Sequence, residues 1–120
     1  MTESRTITSP AVRALSGLQG VKAIKAHGSV YMELGTPDIA ASAKMECPHC
    51  GARGQAFLLE GKKPGRKPSA IQRKRLREWN DAGAIVGIIY SVAEAVAVVQ
   101  GDTEMQRVCY ERTLDKDAGQ

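Results

Sequence analysis

Two acidic residues and a lysine have the types and spacing to form one cluster of ionisable side chains. Asp38 follows Gly35-Thr36-Pro37, and Glu60-Gly61-Lys62 comes later in the chain. Side chains alternate along a strand, so Glu60 and Lys62 point to the same face of a predicted third strand. If the second and third strands form a hairpin, Asp38 lies next to Glu60, because both are about equally far from the turn. Two carboxylates then converge beside a lysine.

Converging carboxylates repel each other, which raises the pKa of one of them unless a cation compensates. Hard divalent cations such as Mg²⁺ or Mn²⁺ are the usual partners of oxygen ligands. Such a metal would polarise a phosphoryl oxygen and lower the pKa of the attacking water, and Lys62 would add a further positive charge. Spacing alone leaves an alternative open, a surface salt bridge of Glu60 with Lys62 or of Asp38 with an arginine.

A strongly basic segment begins at this lysine. Residues 62–77 contain eight of the 17 basic residues and no acidic one, whereas the rest of the chain carries nine basic and 13 acidic residues. This concentration favours a polyanionic partner such as nucleic acid, with a solvated charged face as the alternative. The length of 120 residues, 42% of them hydrophobic, suits one small domain.

Hydrophobic periodicity and turn residues predict the elements that position these groups. Pro10 opens a short helix, and Ser69 caps a basic helix in which Leu76 and Trp79 are expected to face a core. A second full helix begins at Ser91 with a capping box. Four strands are predicted, a meander of three followed by a buried one: VKAIKAHG, DIAASAKM, QAFLLEGKK and AIVGIIY. The order α-β-β-β-α-β-α indicates an α/β or α+β fold with a crossover around the basic helix, and we expect the α/β form, a mixed β-sheet flanked by helices.

Two segments, KAHGSVYMELGTPDI and FLLEGKKPGRKPSAIQRKRLREWNDAGAIVGIIYSVAEAVAV, resemble the virus-type replication-repair nuclease (VRR-NUC) domain of the PD-(D/E)xK nuclease superfamily. The resemblance runs from about residue 20 to residue 100 and includes G-x-PD, E-x-K, a PGxxPS loop and AG…YSVxEA. It implies a metal-dependent DNA endonuclease with a restriction-endonuclease-like core in residues 1–101. A CPHC insert then occupies 46–54, and 102–120 form a polar C-terminal tail.

The resemblance also implies roles for individual residues. Asp38 and Glu60 ligate the catalytic Mg²⁺ or Mn²⁺, and the Gly61 carbonyl completes its shell. Lys62 orients or activates water, and Gln72 matches a glutamine near the active site. Gly61 stands where the family usually has a bulkier apolar residue, so weaker packing behind the site is expected. The family's glutamate on the first helix has one upstream candidate, Glu3. Phosphate contacts fall to the neighbouring basic residues Lys63, Arg66, Lys67, Arg73 and Lys74.

Stand-alone, phage-like members of the family are associated with homodimers that cut branched DNA such as Holliday junctions. The resemblance therefore implies a homodimer acting on branched or duplex DNA in the cytoplasm of a bacterial or phage-infected cell. No apolar stretch is long enough to span a membrane, and the start MTESRTITSP lacks a secretory h-region. Two other functions stay open, a non-catalytic nucleic-acid-binding adaptor and a zinc-dependent interaction protein.

The segment Cys47-Pro48-His49-Cys50-Gly51, here called the knuckle, is typical of half a tetrahedral zinc site. His27 and Cys109 are the remaining ligand candidates within the chain, and a symmetric dimer could instead combine two knuckles into a Cys₄ site. A metal-free turn with free thiols and a redox pair are the alternatives. The absence of a thioredoxin-like βαβ context argues against the redox pair. Three cysteines do not suggest a disulfide framework, so a reducing compartment is expected.

Overall fold

A four-stranded mixed sheet forms the centre of the protein, which is described by a computed structural model over residues 4–26, 33–51 and 53–114. Three strands form an antiparallel meander: β1 (Val21–Lys25), β2 (Ile39–Lys44) and β3 (Gly54–Gly61). The fourth, β4 (Ile85–Ile89), pairs with β3 in parallel and lies at the edge of the sheet. The predicted α/β fold with a mixed, helix-flanked sheet is confirmed.

The helices follow the predicted order and add one more. A π-helical turn, Ser4–Thr8, leads into α1 (Ser9–Ser16), so helical backbone begins upstream of Pro10. Next come α2 (Ala70–Asp81), the crossover between β3 and β4, and α3 (Val92–Val99). The additional helix, α4 (Thr103–Glu111), lies in the segment predicted as a polar tail. Within the described residues, no helix is both long and apolar enough to cross a membrane.

Alternating side chains of the sheet build two cores, one on each face. Ile39, Phe57 and Leu59 belong to the larger core, which α1 and α3 cover. The smaller core contains Leu58 and Ile88 and is covered by α2. Because β4 is an edge strand, α4 packs beside it and contributes side chains to both cores. The sheet is therefore covered on both faces, and α4 also covers its β4 edge.

The basic helix α2 contacts the sheet through a narrow stripe. Leu76 is fully buried in the smaller core, as predicted. Trp79 is 44% exposed, so the prediction that it faces a core is wrong. Three residues of a helix correspond to a rotation of about 300°, which puts Trp79 to one side of the stripe that Leu76 occupies.

Candidate functional site

Asp38 and Glu60 lie opposite each other at the open end of the β2–β3 hairpin. Ile39 pairs with Leu59, and one further step along the two antiparallel chains brings Asp38 opposite Glu60. Strand alternation puts Glu60 on the face of the sheet that α2 covers, whereas Asp38 lies just before β2. Glu60 is only 5% exposed, so the pair lies at the edge of a core and not on an open surface. The structure thus brings together the two carboxylates that the sequence singled out.

Both carboxylate oxygens of Asp38 are held by hydrogen bonds. The backbone N–H of Gly61 donates to Oδ1 at 3.1 Å, and the Thr8 hydroxyl donates to Oδ2 at 3.0 Å. Burial raises the pKa of Asp38 above its usual value, although these hydrogen bonds and the positive charge of Lys62 oppose that shift. Lys62 is therefore within electrostatic reach of Asp38.

Glu60 is held from the other side by the first turn of α2. The Gln72 side chain donates from Nε2 to Glu60 Oε2 at 3.2 Å. Its own Oε1 accepts the backbone N–H of Ser69 at 2.9 Å, and the Ser69 hydroxyl accepts the N–H of Gln72, which completes a capping box. The side-chain amide of Gln72 therefore fixes both the start of α2 and the orientation of Glu60.

Thr8 is a residue of the site that the sequence analysis missed. It is 1% exposed and approaches Asp38 closely because residue 61 is glycine. A Cβ at Gly61 would lie 2.8 Å from Thr8 Oγ1 and 3.1 Å from Cγ2 of Ile7. The expectation of weak packing behind Gly61 is therefore wrong, because the π-helical turn fills that space. A glycine inside a buried strand was the one available signal, since it often marks a close backbone approach.

The Gly35-Thr36-Pro37 turn fixes Asp38 relative to α2. Gly35 has φ +83°, and a Cβ there would lie 3.0 Å from both the backbone oxygen and Cγ1 of Ile71. Only glycine combines that backbone conformation with such close contact to the helix. Pro37 is buried and keeps the preceding residue extended. The turn therefore sets the distance between the strand that carries Asp38 and the helix that carries Gln72.

The predicted phosphate-binding residues lie on the loop after β3 and on α2. Arg73 Nη1 donates to the carbonyl of Pro68 at 2.9 Å, which ties the loop to the helix, while Lys74 is exposed. Lys63 follows Lys62 directly and is half-buried. Beside this loop is a groove of about 420 Å³, here called the basic groove, whose lining includes Arg66, Lys67, Arg73, Tyr90, Val108 and Arg112. The basic segment and α4 thus line a concavity with four cationic side chains and one carboxylate, that of Glu111.

One wall of the basic groove is fixed by an ion pair that the sequence analysis did not find. Arg112 donates to both oxygens of Glu94, at 2.8 and 3.0 Å, and also to the carbonyl of Ile88. Its guanidinium lies 4.0 Å from the centre of the Tyr90 ring. Burial would raise the pKa of Glu94, but the hydrogen bonds and charge of Arg112 and the N–H of Tyr90 lower it overall. α3, β4 and α4 therefore meet at this pair.

The three cysteines are in different environments. Cys47 is half-buried and Cys50 exposed at the tip of the β2–β3 hairpin, whereas Cys109 is fully buried in α4. A Cβ at Gly87 would lie 2.6 Å from Cys109 Cβ, which shows how tightly α4 packs on β4. Within residues 4–26, 33–51 and 53–114, no three His, Cys, Asp or Glu side chains gather as a metal site, so Cys109 does not join the knuckle. His27 and Glu3 lie outside the described residues.

Comparison of the chain with family models, curated proteins and solved structures finds no match.

Proposed function

We propose that this protein is a metal-dependent DNA endonuclease with a restriction-endonuclease-like core, of the VRR-NUC type that its motifs resemble. The observation that carries the proposal is the strand register that puts Asp38 opposite Glu60. Glu60 points to the face that carries the first turn of α2 and its Gln72, whereas the Asp38 carboxylate contacts Thr8 and the Gly61 N–H. A protein that only binds nucleic acid has no need for a buried and a half-buried carboxylate beside a lysine.

The donor set fits Mg²⁺ or Mn²⁺. A small hard cation is typically bound by one or two carboxylates together with waters and substrate phosphate oxygens, so Asp38 and Glu60 are sufficient protein side chains. The resemblance adds the Gly61 carbonyl as a third ligand. When bound, the metal would supply Lewis-acid polarisation of the phosphate and a water of lowered pKa.

The remaining roles fall to this chain's own side chains. Gln72 keeps one oxygen of Glu60 occupied and so orients the other. Gly61 and Thr8 each donate to one oxygen of Asp38 and so fix the orientation of its carboxylate. Lys62 supplies positive charge where negative charge develops in the transition state. Glu3, by resemblance, is a further candidate at this site.

DNA is the proposed substrate because the basic segment 62–77 follows Glu60 directly along the chain and continues onto α2. Lys63, Arg66, Lys67, Arg73 and Lys74 would contact phosphates and position the strand without reading its sequence. Selection of branched structures such as four-way junctions by a cytoplasmic homodimer is the finer form of the proposal, and it rests on the resemblance.

Cleavage assays on defined DNA structures test this function. End-labelled four-way junction, flap, linear duplex and single strand are incubated with Mg²⁺, Mn²⁺ or EDTA, using the wild type, Glu60→Gln and the control Glu78→Gln. Glu78 is an exposed residue of α2 that pairs with Arg75. We expect metal-dependent cleavage that Glu60→Gln reduces by at least about a hundredfold and Glu78→Gln preserves. Cleavage retained by Glu60→Gln would refute the assignment, and binding without cleavage in any metal would favour the adaptor.

A further inference from the structure

The closed end of the β2–β3 hairpin has chemistry of its own, separate from the carboxylate pair at the open end. The knuckle forms the turn, whereas Asp38 and Glu60 lie beyond the other end of the paired strands. Six residue pairs separate the two ends, roughly 17 Å along the sheet. The thiols of Cys47 and Cys50 therefore take no part in the proposed nuclease site.

The backbone of the knuckle forms a tight turn with the half-buried Cys47 and the exposed Cys50 at the hairpin tip. The N–H of Gly51 donates to the Cys47 carbonyl at 2.8 Å, and Gly51 itself has φ +73°. Two cysteines separated by two residues in a tight turn have the ligand spacing of a structural zinc site.

Two cysteines supply half of the ligands that a closed tetrahedral zinc site needs. Within the described ranges, no three His, Cys, Asp or Glu side chains are arranged to hold a metal ion, so His49 does not complete a site with the two cysteines. The tip itself is accessible, since Pro48, His49, Cys50 and Gly51 are all exposed. The hairpin tip of a second copy, related by a two-fold axis, can therefore reach an ion bound by the first. Two cysteines from each copy then supply four thiolate ligands.

The charges around the knuckle favour such a shared ion. Lys22, Lys44 and Arg53 line a shallow concavity on the strand ends next to the knuckle. Two copies brought together without a metal would bring six of these cations close to one another. A Zn²⁺ ion with four thiolates carries a formal charge of −2, which offsets part of that repulsion. Association through this end is therefore expected to depend on the metal.

We propose that Cys47 and Cys50 from two copies of this chain bind one structural Zn²⁺ in a Cys₄ site. Each thiol releases its proton to water on binding, and the ion is not a reactant. Cys109 is excluded from the site because it is buried against Gly87. The proposal concerns assembly and does not rest on the proposed nuclease activity.

Metal content and mass of the reduced full chain test the proposal together. We expect about half a zinc ion per chain, a dimeric mass with Zn²⁺ and a monomeric mass after chelation. Loading with Co²⁺ is expected to give the intense visible absorption of four thiolates in a tetrahedral site. The double variant Cys47→Ser/Cys50→Ser should lose the bound zinc, the zinc-dependent dimer and the Co²⁺ absorption, whereas Cys109→Ala should keep all three.

Several results would overturn the shared site. These are one zinc per monomeric chain, zinc retained by the double variant, a dimer that survives chelation, or a Cys47–Cys50 disulfide in place of bound metal. The Co²⁺ spectrum and the metal-to-chain ratio are measured on the wild type, so the test holds even if the variants fold poorly. DNA cleavage is measured in a separate assay, so refuting the shared zinc site does not refute the proposed nuclease activity, and the reverse also holds.

Discussion

The hydroxyl of Thr8 reaches the carboxylate of Asp38 at 3.0 Å across a gap that exists only because residue 61 has no side chain. Thr8 ends the π-helical turn at the start of the described chain, and Asp38 stands just before β2. The geometry of the carboxylate therefore depends on an element remote in sequence. Gly61 therefore has two roles: its N–H donates to Asp38, and its lack of a side chain leaves room for Thr8.

Gly61→Ala tests this close approach. The new Cβ would lie 2.8 Å from Thr8 Oγ1, so the π-helical turn must shift and the Thr8–Asp38 hydrogen bond is disturbed. We expect a loss of about 1–3 kcal/mol in the free energy of unfolding, measured by urea denaturation. Gly54→Ala on the same strand is the control, because its nearest neighbours would be 3.8 Å away. Equal stability of the two variants would contradict the proposed role of Gly61.

Asp38→Asn tests the cost of burying this carboxylate. The folded pKa of Asp38 is raised, so the folded state holds the proton more tightly than the unfolded state does. The wild type therefore loses stability as the pH rises from the pKa of Asp38 in the unfolded state through its pKa in the folded state. The uncharged side chain of the Asp38→Asn variant does not lose stability in this range. We expect a higher melting temperature than wild type at pH 7 and a difference that narrows as the pH is lowered toward 4. If Asp38→Asn were less stable than wild type at every pH, burial of the charged carboxylate would not be the dominant cost at this position.

Glu94→Gln tests the ion pair behind the basic groove. The folded pKa of Glu94 is lowered, so the pair contributes stability above the unfolded pKa that is lost as pH falls through the folded one. We expect the variant to lose about 1 kcal/mol near neutral pH, a value that allows for partial solvent screening, and to show a weaker acid transition. Glu104→Gln removes the exposed pair with Arg107 and should leave the melting temperature almost unchanged.

Thiol titration tests the placement of the cysteines. Burial raises the pKa of Cys109 to about 11, whereas Cys47 and Cys50 lie at the hairpin tip. With metal chelated, two thiols should react rapidly with an aromatic disulfide reagent at pH 8, and the third only after denaturation. Three fast thiols in the folded protein would contradict the packing of α4 on β4.

Salt dependence tests whether the basic groove contacts phosphates. Replacing Arg66 and Lys67 by alanine should lower the slope of log affinity for duplex DNA against log salt by about 1.8, at 0.9 per lost contact. The control, Lys22→Ala/Lys44→Ala, removes the same charge from the knuckle end of the sheet. An equal change of slope in both double variants would mean that net charge alone drives binding.

The sequence predicted the carboxylate pair because its position follows from two local rules. Strand alternation sets the face of Glu60, and equal distance from a hairpin turn sets the partner of a residue on the opposite strand. The observed register agrees with that reasoning to the residue. The glutamine on α2 entered only through a family resemblance, and its capping role became visible with the hydrogen bonds of Ser69.

Thr8 and α4 could not be predicted in the same way, because their positions depend on contacts distant in sequence. The segment around Thr8 has no pattern that points to Asp38, and the contact depends on the glycine at 61. In α4, Cys109 is the one fully buried residue, so the helix carries too weak a hydrophobic pattern to be seen. The prediction for Trp79 was wrong because the hydrophobic pattern there was stronger than the burial. A large apolar side chain at helical spacing can still be exposed.

The alignment of Asp38 with Glu60 comes from the paired strands and not from the turn that joins them. Slippage of the pairing by a single residue would send one of the two carboxylates to the opposite face of the sheet. Insertions or deletions confined to the tip leave the pairing untouched, as loop tips generally tolerate them. In related chains, the length of this turn is therefore free to vary while the spacing within each strand is not.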